Sequence, residues 1–132
     1  MLANISVREY MTPNPIVFRP NMDVYEAIRK LLDQRTTGAP VVDDHGKVIG
    51  AFSELDCLRI VVTSAYYEDM GGKVSEYMTQ DVTVVDADAS IVEVAELFAK
   101  SNLRHFPVME DDKLVGVISR VDVLKALVAI RK

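Results

Sequence analysis

Apolar positions fall into two kinds of period along this chain. Val24, Ala27, Ile28, Leu31 and Leu32 recur at helical spacing, as do Ile91, Ala95, Phe98 and Ala99. Asp23-x-x-Glu26 and Ser90-x-x-Glu93 stand just ahead of these runs and fit reciprocal capping boxes, so a helix is expected after each. Short apolar segments rich in β-branched residues predict strands at Ile16–Phe18, Ala39–Val42 and Val48–Ser53, and again at Thr83–Val85, Phe106–Met109 and Leu114–Ser119. Turn-forming residues separate the paired strands: Asp43-Asp-His-Gly46 in one place, Glu110-Asp-Asp112 in the other. A last helix is expected from about Leu55 to Val62, and its counterpart from Val121 to Ile130.

The same order of elements therefore occurs twice: strand, helix, strand, strand, helix. The residues repeat as well. Val7-Arg-Glu-Tyr-Met-Thr12 returns as Val74-Ser-Glu-Tyr-Met-Thr79, Ala39-Pro-Val41 as Phe106-Pro-Val108, and Gly50-Ala-Phe-Ser-Glu-Leu-Asp56 as Gly116-Val-Ile-Ser-Arg-Val-Asp122. The first copy gains one residue near Gly46. Chance is a poor explanation for matches in this order and register. Copy one is expected over 5–66, copy two over 74–130, with 67–73 and its glycines as the join. Half a sheet and two helices cannot bury both faces alone, so an α+β fold is expected in which two β-α-β-β-α repeats, related by a pseudo-twofold, pack sheet to sheet.

Composition narrows the function. The 132 residues are 49% hydrophobic and 27% charged, a balance that predicts a folded chain rather than a disordered one. The net charge of −5 argues against nucleic acid as the partner, because that affinity needs a basic footprint. No apolar run is long enough to span a bilayer, and the first residues lack the basic flank and apolar stretch of a signal peptide. Cys57 is the only cysteine and cannot form an internal disulfide, so a reducing cytoplasm is the expected compartment. Neither a metal cluster, a nucleophile–base pair nor a Walker-type loop is apparent, so no enzyme activity is expected.

Tyr-Met-Thr at the start of each copy, Ala-Pro-Val-Val-Asp at its middle and Gly-x-x-Ser-x-x-Asp before its last helix resemble the CBS domain, here as a standalone tandem pair (a Bateman module). The resemblance implies clefts that hold AMP, ADP or ATP, or alternatively S-adenosylmethionine. It also implies homodimers formed through the helices and a regulatory role toward a separate protein. An assembly module with empty clefts is the other reading.

Ser119-Arg-Val-Asp122 is the sharpest motif. A helix start can meet a phosphate with backbone N–H groups, and Asp122 can accept two hydrogen bonds from a ribose diol. The same four residues are also a capping box. In copy one, Ser53 and Asp56 recur but Glu54 replaces Arg120, which predicts a weaker phosphate site. Arg104 and His105 precede a strand whose start, by the resemblance, faces the ligand, and both suit a phosphate. The resemblance further groups Met11, Ile16, Thr36 and Thr37 with Ser119 and Asp122, and Met78, Thr83, Leu103 and Arg104 with Ser53 and Asp56.

Overall fold

The computed structural model describes residues 1–66 and 71–131. In chain order its elements are β1 (Thr12–Pro13), α1 (Val24–Gln34), β2 (Gly38–Val42), β3 (Val48–Ser53), α2 (Glu54–Tyr66), α3 (Val74–Tyr77), β4 (Val85–Asp86), α4 (Ile91–Ala99), β5 (His105–Glu110), β6 (Lys113–Ser119) and α5 (Arg120–Ala129). Short 3-10 turns at Leu2–Asn4 and Val7–Glu9 precede β1. The chain divides into two compact units, and the division cuts across the repeats. One unit joins Met1–Pro15 to Thr83–Lys132; the other is Ile16–Val82. Each unit thus combines the opening segment of one copy with the body of the other.

In the first unit the strands lie in the order β1-β6-β5-β4. Thr12 pairs with Val117 and Pro13 with Gly116, antiparallel, so copy one's opening strand extends copy two's sheet. The second unit repeats this arrangement. Ala51 on β3 exchanges both backbone hydrogen bonds with Thr79, at 2.9 Å each, and Phe18 bridges Val41 on β2 in parallel. The expected strand Ile16–Phe18 is reduced to that single bridge, and Thr83–Val85 becomes Val85–Asp86. In copy one, Pro15 and Pro20 flank the segment and lack the N–H groups that a longer ladder needs.

Both units bury equivalent positions. Val7 is fully buried among copy-two residues such as Ile91, Phe106 and Ile118, and Val74 among copy-one residues such as Val24, Ala39 and Phe52. Each core holds an aromatic pair, placed differently. Phe18 and Phe52 meet edge to face at 5.9 Å, where copy two has Val85 and Ile118. Phe98 and Phe106 stack at 4.2 Å, where copy one has Leu31 and Ala39. The two cores thus carry their aromatic rings at different positions of the repeat.

Asp23 caps α1 by accepting from the N–H groups of Tyr25 and Glu26, and Ser90 caps α4 by accepting from Glu93 N–H at 3.1 Å. The reciprocal half of each expected capping box is not made: among the described residues, neither Glu26 nor Glu93 bonds back to its cap. The opening segment of the other copy supplies partners instead. Val24 N–H donates to Gly72 O at 3.0 Å, and Ile91 N–H to Ile5 O at 2.9 Å, so first-turn donors are satisfied from outside the helix. Residues 67–70 of the expected join lie outside the described residues, while Gly72 and Lys73 are built into the second unit by these backbone contacts. The β5–β6 turn places Asp111 and Asp112 at φ 49° and 64°, the left-handed pair of a two-residue hairpin. The extra residue of copy one makes its turn longer, and Asp43 Oδ1 there accepts from His45 and Lys47 N–H. These donors, Lys47 first, hold the Asp43 carboxyl below its usual range.

The repeated Tyr-Met-Thr and the repeated glycine explain each other. A Cβ on Gly116 would lie 2.6 Å from Met11 Sδ and 2.8 Å from Thr12 O; on Gly50 it would lie 2.8 Å from Met78 Sδ and 2.9 Å from Thr79 O. The methionine could move, but the carbonyl belongs to the strand pairing itself. Gly116→Ala and Gly50→Ala are each expected to cost about 1–3 kcal/mol by overpacking. Thermal denaturation followed by circular dichroism should show a melting temperature several degrees lower for either variant. An unchanged melting temperature would show that the opening strand is held by something other than this approach.

Candidate functional site

Each copy has a strand that ends in serine and runs directly into its last helix. In the first unit Ser119 is extended (φ −114°, ψ 168°) and caps α5. Its Oγ accepts from Asp122 N–H at 3.2 Å, and its N–H donates to Asp122 Oδ2 at 2.8 Å. The expected capping box is therefore complete. Among the described residues, Asp122 Oδ1 has no hydrogen-bond partner, and the Ser119 hydroxyl proton is not donated. Asp122 is buried at 9% exposure, so the box fixes one carboxylate oxygen and leaves the other as an oriented acceptor.

Neighbouring residues gather at the same end of the sheet. His105 stands opposite Ser119 in the β5–β6 register, and Arg104 O accepts from Arg120 N–H at 3.3 Å. Met11 immediately precedes β1, whose Thr12 pairs with Val117. Thr83 precedes β4 on the side toward the start of β5. The Arg120 guanidinium is turned to structural use: Nε donates to Leu103 O at 2.9 Å and Nη2 to Ser101 O at 3.2 Å. It clamps the segment that carries Leu103 and Arg104. Arg104 is exposed and, among the described residues, its side chain makes no hydrogen bond or ion pair.

The second unit holds the counterpart, closed differently. Asp56 is buried at 1% exposure. Its Oδ2 accepts from Ser53 N–H at 2.9 Å and from Ser53 Oγ at 3.1 Å. Its Oδ1 accepts from Arg59 Nη1 and from Thr79 Oγ1, both at 3.1 Å. Glu54 N–H donates to Thr37 O at 2.9 Å, matching the Arg120–Arg104 contact, and Thr36 Oγ1 donates to Gly38 O. Met78 lies against Gly50, and Ile16 precedes Phe18 on the side toward the start of β2. Of the residues that the resemblance groups with Asp122, Met11 belongs to the same unit, while Ile16, Thr36 and Thr37 belong to the unit of Asp56. Of those grouped with Asp56, Met78 shares its unit, while Thr83, Leu103 and Arg104 belong to the unit of Asp122.

Sequence reasoning did not single out Arg59 or Thr79. Arg59 has a signal, being one helical turn beyond Asp56 on the same face. Thr79 closes the repeated Tyr-Met-Thr, but no spacing along the chain links it to Asp56, because only the exchanged strand brings the two together. Cys57, next in chain, is partly buried; desolvation first and the Asp56 charge second push its thiol up to about 11, which keeps it protonated and weakly nucleophilic near neutral pH.

Two copies of one β-α-β-β-α repeat, each ending in a serine–aspartate junction, define a tandem-repeat module. The profile of the CBS domain matches residues 7–63 and 74–129, and the chain belongs to the CBS domain family, with the domain present twice. The chain is 32% identical over 124 residues to uncharacterized protein MJ1225 of Methanocaldococcus jannaschii, covering 94% of this chain and 43% of that protein. Among solved structures, CBSX2 in complex with AMP has a TM-score of 0.85 at 28% identity, covering 97% of this chain and 99% of that one; CBSX2 is a protein of Arabidopsis thaliana. The CBS domain pair of MJ0100, in complex with 5′-methylthioadenosine and S-adenosyl-L-methionine, has a TM-score of 0.79 at 25% identity, covering 96% and 98%. Among the described residues, no helix is long and apolar enough to cross a membrane.

The two aspartates differ in what their loss exposes. Asp56→Ala would leave the half-buried Ser53 N–H and the Thr79 and Arg59 donors without their acceptor, at a cost of about 1–3 kcal/mol. Asp122→Ala removes one helix cap contact, about 0.5–2 kcal/mol. Urea unfolding should give the larger loss for Asp56→Ala. The reverse order would contradict the closure described for Asp56.

Proposed function

We propose that the chain is a non-catalytic sensor module that binds an adenosine-type nucleotide, AMP, ADP or ATP, at the Asp122 junction. The observation that carries this reading is the Asp122 carboxylate. One oxygen is fixed by the capping box and the other is unpartnered, a preorganised acceptor for a ribose hydroxyl. The Ser119 hydroxyl can donate to the same ligand. The start of α5 contributes the positive end of its dipole, and the unpaired guanidinium of Arg104 suits a phosphate. That cation favours a nucleotide over S-adenosylmethionine, whose sulfonium is itself positive. The adenosine compounds in the CBSX2 and MJ0100 structures support the ligand class. His105 and Met11, in the same unit as Asp122, complete the proposed set for this ligand. A reducing compartment such as the cytoplasm suits the lone thiol of Cys57.

The expected result of isothermal titration is saturable AMP binding, weakened roughly 10- to 100-fold by Asp122→Ala, as loss of a hydrogen bond to a charged group implies. Arg104→Ala should weaken ADP and ATP more than adenosine, because the lost contact is to phosphate. Equal losses for all three would remove Arg104 from the site. Absence of binding by AMP, ADP, ATP and S-adenosylmethionine at millimolar concentration would favour an assembly module instead.

The same reading includes a homodimer. Leu58, Val61 and Val62 on α2 are exposed, and the matching Leu124, Leu127 and Val128 on α5 are exposed too. In the first unit, α4 and α5 also border an apolar groove of about 430 Å³ lined by Ile91, Ala95, Val123, Leu124 and Leu127 among others. Each helix carries its own apolar face at matching positions, and each such face suits an isologous contact with a second copy, since both recur on each partner. Light scattering should give twice the 14.7 kDa chain mass, and Val61→Asp with Leu127→Asp should return it to one. A wild-type monomer at micromolar concentration would exclude the dimer.

A further inference from the structure

We propose that Arg59 and Thr79 close the Asp56 carboxylate, so that copy one's junction is an internal lock and the chain takes one adenosine ligand rather than two. The inference rests on the reading of Asp122 as the ligand acceptor and names what distinguishes the two junctions. An ionised carboxylate offers about four acceptor positions. Asp56 has four donors on its two oxygens: Ser53 N–H, Ser53 Oγ, Arg59 Nη1 and Thr79 Oγ1. The Ser53 hydroxyl proton is spent on the same carboxylate, whereas Ser119 uses its oxygen as an acceptor and keeps its proton. Both groups that a ribose diol would address are therefore occupied from within the chain.

The backbone does not explain the difference. Gly38 faces Ser53 as His105 faces Ser119, and Thr12 and Thr79 open matching strands. The side chain one turn into the helix does differ. Copy one has Arg59 and copy two has Lys125, which makes no hydrogen bond or ion pair among the described residues. A guanidinium presents a fixed fork of donors and reaches back to its own helix start, while a lysine ammonium is a strongly hydrated point charge that remains in water. Thr12, without a fixed cation opposite, makes no side-chain bond to Asp122. Glu54, the first residue of α2, adds a negative charge where Arg120 stands in copy two, which further disfavours an anionic ligand.

Titration calorimetry of the full chain with AMP tests this directly. The wild type should bind one AMP per chain. The double variant Arg59→Lys, Thr79→Val should show a second binding event and reach two, and adding Asp56→Asn should return it to one. Two AMP per wild-type chain, or one for a folded double variant, would overturn the lock. If the wild type binds no AMP, the reading of Asp122 fails separately, and a double-mutant cycle in urea judges the lock alone. Asp56→Asn and Arg59→Lys should then lose less together than the sum of their separate losses, and additive losses would overturn it.

Discussion

Everything in this protein depends on the pairing of a short opening strand with a strand of the other copy. Thr12 on Val117, and Thr79 on Ala51, are brief contacts by length. They carry weight because of what accompanies them. Met11 and Met78 lie over glycines that leave room for nothing larger, and Val7 and Val74 fill cores made otherwise by the other copy. The ends of α1 and α4 take their outside hydrogen-bond partners from the same segments. Neither repeat, taken as a stretch of sequence, coincides with a compact unit: each unit combines the body of one copy with the opening segment of the other.

That exchange also makes the chemistry. Thr79 reaches Asp56 only because it arrives on the borrowed strand, and Met11 comes to the Ser119 end of β6 by the same route. The repeats share a backbone frame, yet their polar closure differs. Copy one spends its serine and aspartate on arginine, threonine and its own cap. Copy two spends one carboxylate oxygen on the cap and leaves the other without a partner among the described residues. The two junctions share their serine and aspartate, and a few side chains differ between them: Arg59 against Lys125, Glu54 against Arg120, and Thr37 against Arg104.

The two cores differ in where they place their aromatic rings. Phe18 and Phe52 in one unit answer Phe98 and Phe106 in the other, at positions that do not match.

The sequence by itself determined the repeat, the family, the strands β2, β3, β5 and β6, and the four longer helices within a few residues at their ends. Periodicity and caps act over neighbouring residues, so they are legible there. It also marked Ser119, Asp122, Ser53 and Asp56, since a strand-to-helix junction and a capping box are local. Tertiary structure alone decided which opening strand belongs to which sheet, that Arg120 clamps the Leu103 segment, and that Asp56 is closed while Asp122 is open on one side. Those outcomes depend on donors from other elements meeting one carboxylate at hydrogen-bond distance. No spacing along the chain encodes that meeting, because it is fixed only when the exchanged strands have paired.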